Sequence, residues 1–205
     1  VKGGDGLTRN YQTTYISGGE NFAIGGMAIT SGNGATVRIT DSYVKGGNSD
    51  LYNAADAAIS AGGNTYIIEG STVEGGDAQT QQAGNGYGIG GDAISVGNGV
   101  VTIESSKIIG GDGGDSWLGC GIQYNNTSGV LNVTNSIIIG GGVTGSGDGG
   151  FGNAIYSNLR NVSYDEFSNI NLTNSLLQLG ADPSKVYSGS VLHTNKSGFD
   201  PESLV

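Results

Sequence analysis

One cysteine, two prolines, one histidine and one tryptophan are spread over 205 residues. A single cysteine excludes an internal disulfide and sets the chain apart from small stapled scaffolds, although it leaves export open. Both prolines, Pro183 and Pro201, fall late in the chain, so everything before them can donate to backbone ladders. With His193 as the only imidazole, histidine chemistry would depend on the C-terminal segment folding back. Basic residues are scarce too: eight Lys and Arg against eighteen Asp and Glu give a formal charge of −10. That balance argues against nucleic acid and against membrane surfaces as partners, since either needs a basic face. No apolar run approaches the roughly 18 residues of a spanning helix, so no membrane insertion is expected, and no signal peptide is recognisable.

What is abundant is glycine, at 41 residues, and it is abundant in register. A pattern Ser-x-(Val/Ile/Leu)-x-x-Gly recurs at Ser42, Ser71, Ser106, Ser136 and Ser175. Three residues before each serine stand Ile39, Ile68, Ile103, Val133 and Leu172; five before stand Val37, Tyr66, Val101, Leu131 and Ile170. Two residues after come Val44, Val73, Ile108, Ile138 and Leu177. Upstream, a small residue followed by isoleucine recurs at Ile29, Ile59, Ile94, Ile122 and Ile155. The clearest copy spans Gly91 to Gly111 and reads as strands Ala93–Val96, Val100–Glu104 and Lys107–Ile109, separated by a Gly-Asn-Gly turn and a Ser-Ser corner.

Alternating apolar positions within each copy have the period of a strand with one face inward. Such short strands cannot bury that face alone, but copies laid on one another at about 4.8 Å can. The pattern therefore predicts an all-β fold, a right-handed parallel β-helix (β-solenoid) of about five to six rungs. Each rung has three short strands, and loops are inserted along one edge. The handedness follows from the chirality of parallel crossovers. The β-helix is expected over 1–180, with 1–25 an incomplete first rung and long loop, and 181–205 a tail or cap. Val1-Lys2-Gly3-Gly4 copies Val44-Lys45-Gly46-Gly47, which leads us to expect repeat sequence upstream of Val1.

The serines repeat at intervals of 29, 35, 30 and 39 residues; nearly all of the variation sits in one connection, and the fifth copy adds an excursion at Asn158–Asp165. Insertions at one corner project from one edge of a solenoid, often the binding face. These connections, Asn48–Asp56, Asp77–Gly90, Asp112–Gly119 and Gly142–Asn153, carry Tyr52, Asp56, Tyr87, Trp117 and Phe151, with Asp92 just beyond. Aromatic rings that stack on sugar faces, beside carboxylates and amides that bind hydroxyls, suit a carbohydrate ligand. Solvated loops with tucked aromatics read the same way. Asp56 and Asp92 stand before the small-Ile step in successive copies, so adjacent rungs should bring them close and raise one pKa, as an acid–base pair needs. Asp112, Asp115 and Asp148 offer hard oxygens for calcium, but they match no established calcium loop, and aspartate also favours turns. The serine column is expected to form an inter-rung hydrogen-bond ladder, and Cys120 to pack as a small buried group.

The repeats resemble the Gly-rich β-helix repeats of bacterial surface and secreted proteins, on the strength of Gly88–Gly91 and Thr102–Gly111. The resemblance covers residues 23–180. It implies a pectate-lyase-like architecture and an extracellular or cell-surface setting. Three functions remain open on it: a glycan-binding or adhesive module using the loop edge, a self-associating fibre subunit stacked end to end, and a polysaccharide lyase or hydrolase. The non-enzymatic module is favoured, because the carboxylates have no basic residue that can be registered beside them.

Overall fold

The computed structural model describes residues 1–3, 26–31, 34–49, 55–78, 89–113, 118–124, 128–142, 152–157, 169–178 and 192–193. Its first rung consists of β1 (Ile29–Thr30), β2 (Thr36–Thr40) and β3 (Tyr43–Lys45). The second is β4 (Ile59–Ala61), β5 (Thr65–Glu69) and β6 (Thr72–Glu74); the third is β7 (Ile94–Val96), β8 (Val100–Glu104) and β9 (Lys107–Ile109). The fourth comprises β10 (Ile122–Tyr124), β11 (Val130–Thr134) and β12 (Ile137–Ile139), and the fifth β13 (Ile155–Ser157), β14 (Ile170–Thr173) and β15 (Leu176–Gln178). β16 (Leu192–His193) opens a sixth, so the C-terminal segment supplies a strand.

Equivalent strands stack in parallel as three sheets, β1-β4-β7-β10-β13-β16, β2-β5-β8-β11-β14 and β3-β6-β9-β12-β15. The chain is a right-handed parallel β-helix. Ile29, Ile59, Ile94, Ile122 and Ile155 pair residue for residue, and Leu192 continues the file. Each inner rung closes on itself: Ile94, Val96, Val101, Ile103 and Ile108 of the third are all fully buried. A buried aliphatic side chain contributes on the order of 2 kcal/mol, and here each rests on its counterparts above and below. Lys2 pairs with Lys45, so residues 1–3 lie beneath β3 in the register of a further rung.

The corner between the second and third sheets is made by two residues. Asp41, Gly70, Ser105, Asn135 and Asn174 hold φ between 45° and 57°, a left-handed conformation that only Gly, Asn and Asp adopt at low cost. The serine that follows stitches rungs together. Ser106 Oγ accepts from Ser71 N–H at 3.1 Å and donates to the Glu104 carbonyl at 2.7 Å, and Ser136 Oγ does the same for Ser106 and Thr134. The expected ladder is present, and its links run from hydroxyl to backbone.

The third corner carries the insertions, and glycine closes their necks. Gly91 N–H donates to Gly76, Gly111 to Gly91, Gly119 to Gly111, Gly141 to Gly119 and Gly152 to Gly141, all at 2.8–3.0 Å. Outgoing and returning backbones thus alternate in one hydrogen-bonded file. A Cβ on Gly111 would fall 1.9 Å from the Gly76 carbonyl oxygen, and one on Gly75 1.9 Å from that of Gly91. No side chain fits there.

Candidate functional site

A groove of about 580 Å³ opens on the outer face of the first sheet. Its position follows from the two features just described. In each strand of this sheet the file isoleucine points in, so the next residue points out: Ser60, Ser95, Gln123 and Tyr156 lie on the groove floor. The necks of the inserted connections form one wall, through Ala55, Asp56, Ile89, Gly90 and Leu118. Between floor and wall runs the residue before each small-Ile step: Met27, Ala57, Asp92, Cys120 and Asn153.

Asp92 and Cys120 are neighbours in that column, one rung apart. Cys120 N–H donates to Asp92 Oδ1 at 2.7 Å. Burial pushes Asp92 up to about 6 from its ordinary 3.8; the hydrogen bonds from Cys120 oppose this and the charge of Asp56 adds to it. Burial also pushes the Cys120 thiol up, and the Asp92 carboxylate adds to the effect. A thiol held protonated beside an acid is a poor nucleophile, and Cys120 is buried and forms no disulfide.

The expected alignment of Asp56 with Asp92 requires correction. Counting back from the Ile59–Ile94 register, Asp92 falls in line with Ala57, and Asp56 with Gly91. Residues ahead of the strand do not follow its alternation, so counting alone could not assign their faces. The two acids nonetheless reach one groove and feel one another. Asp56 Oδ1 accepts from Ala57 N–H at 2.9 Å, and no Lys or Arg is among the described lining residues. Three acids on the other sheets do have cation partners: Arg38 holds Glu69 at 2.9 Å, and Lys45 holds both Glu74 and Asp77.

Asp112 lies on a different ladder, beyond the third sheet. Asn48 Oδ1 accepts from Asp77 N–H, Asp77 Oδ1 from Asp112 N–H, and Asp112 Oδ1 from Gly142 N–H, at 2.7–3.0 Å. These carboxylates stitch the outgoing backbones of successive rungs. Among the described residues, no group of three or more His, Cys, Asp or Glu is placed to hold a metal ion. Tyr52, Tyr87, Trp117, Phe151, Asp115 and Asp148 lie outside the described residues. His193 pairs through its backbone with Tyr156, which brings the sole histidine position beside the groove's last described floor residue.

Sequence reasoning missed the floor. Its signal was available, since the residue after each file isoleucine must point outward on a strand, and Ser, Ser, Gln and Tyr in that place form a polar stripe. The Asp92–Cys120 contact was legible in the same way, because both directly precede the small-Ile step. Comparison with family models, with curated proteins and with solved structures finds no match for this chain.

Proposed function

We propose that this β-helix is a glycan-binding module of an extracellular or cell-surface protein, and that it holds an extended sugar chain along the helix axis in the groove over the first sheet. The observation that carries the reading is the floor itself. Ser60, Ser95, Gln123 and Tyr156 present one outward side chain per rung, beneath a wall of apolar and acidic residues. Rungs repeat at about 4.8 Å, close to the length of one pyranose in an extended chain, so each sugar meets an equivalent position. Hydroxyl and amide groups suit sugar hydroxyls, and Tyr156 offers a ring face. Tyr52, Tyr87, Trp117 and Phe151 belong to the connections whose necks build the wall.

The reading is tested by titration calorimetry with linear oligosaccharides of increasing length. Affinity is expected to rise with each added sugar until the groove is filled and then level off. Failure of every chain in a broad panel to bind removes the proposal.

A second reading, hydrolysis of the bound glycan, draws on Asp92. A carboxyl that keeps its proton to about pH 6 beside a second acid resembles the general acid of a glycosidase pair. Release of new reducing ends from a chain that binds, abolished in Asp92→Asn, would establish it; stable complexes over days would exclude it. Proton abstraction of the lyase kind is less well supported, since the described lining residues include no Lys or Arg to act as the base.

A further inference from the structure

We infer that the groove selects a sugar chain bearing free amino groups over the corresponding neutral or uronate chain. The inference rests on the glycan reading above and names the class of sugar. Its basis is a local charge imbalance inside a shaped cavity. Asp56 and Asp92 belong to successive rungs, both line the groove, and no Lys or Arg is among its described lining residues. The same chain pairs Glu69 with Arg38, and Glu74 and Asp77 with Lys45, on the other sheets. Basic residues are few, and those in these ion pairs lie away from this groove.

A partly buried carboxylate without a counter-charge is unfavourable in the free protein. An ammonium group on the ligand supplies that charge, and it interacts more strongly in a recessed groove than on an open surface. A uronate chain meets the opposite situation, adding carboxylates to a groove that already holds two. The wall residues Ile89 and Leu118 add apolar surface without adding charge.

The experiment compares three oligomers of equal length by titration calorimetry in low salt: glucosamine, its N-acetylated counterpart and galacturonate. The amine form is expected to bind about tenfold tighter than the N-acetylated form, and galacturonate most weakly. In Asp56→Asn/Asp92→Asn the ratio of amine to N-acetylated affinity should fall to about twofold or less. Raising salt on the unaltered protein should shrink the same preference, which keeps the test decisive if the double variant does not fold. Equal binding of amine and N-acetylated oligomers, or a preference that survives both substitutions and salt, overturns the inference and leaves the glycan reading standing. Binding of none of the three overturns this inference, and the length series above then decides the glycan reading separately.

Discussion

Asp92 is the residue at which environment most changes chemistry. In the fold it keeps its proton to about pH 6, and in the unfolded chain only to 3.8. Between those values the native state binds the extra proton, so this group's contribution to stability falls as pH rises through that window and is least favourable above about 6. Asparagine keeps an acceptor for Cys120 N–H and removes the buried charge. Asp92→Asn should therefore be more stable than the parent at pH 7, on the order of 1–2 kcal/mol after allowing for partial exposure. The difference should vanish near pH 4. Urea midpoints at the two pH values measure it; a difference independent of pH would show that the carboxyl is not held protonated by the fold. Single positions were unevenly legible in the sequence. Ser106 and Asn135 declared their corner by recurring in place, with the residue types that tolerate a left-handed φ or bond back to the chain. Asp56 did not, because Asp56-Ala57-Ala58 precedes the strand and its spacing from Ile59 carries no information about facing.

The strands are short, yet each is defined by neighbours in other rungs more than by its own sequence. β8 is paired along its whole length with β5 and β11, which is why three-to-five-residue strands persist. The necks are the tightest element. Gly111→Ala puts a methyl carbon 1.9 Å from the Gly76 oxygen, so the backbone file must part, at a cost of roughly 3 kcal/mol or more. Gly62 sits in the corner between the first and second sheets with nothing within 4 Å of a Cβ, and Gly62→Ala should change stability by less than about 0.5 kcal/mol. Thermal unfolding of the two variants separates them. Equal effects would mean that glycine acts through the unfolded chain and not through close approach. The strands were readable because apolar columns at fixed offsets leave one register. The neck file was not, since glycine pairs such as Gly110-Gly111 reveal a turn but not which backbone they touch. Closing the neck by backbone hydrogen bonds also explains why insertions of different length leave the rungs undisturbed.

At the scale of the molecule, a negatively charged rod places its outward polar stripe, the necks of its variable connections and the acids Asp56 and Asp92 at one edge. The third sheet differs: its outward Tyr43 and Lys45 are tied to Glu74 and Asp77, and Ile137 and Leu176 are exposed farther along. The architecture was visible in the sequence because it repeats; the groove was not, because it arises where stacked floor positions meet loop necks that counting does not place. The most direct measurement is titration of a bound oligosaccharide against two variants that each add one indole to an outward position. Ser95→Trp fills the groove floor, whereas Thr102→Trp decorates the second sheet at a position stacked between Ile67 and Asn132. With both variants showing the parent's circular dichroism, Ser95→Trp should abolish binding and Thr102→Trp should leave it unchanged. Undiminished binding by Ser95→Trp, or equal loss in both, would contradict the assignment of the groove.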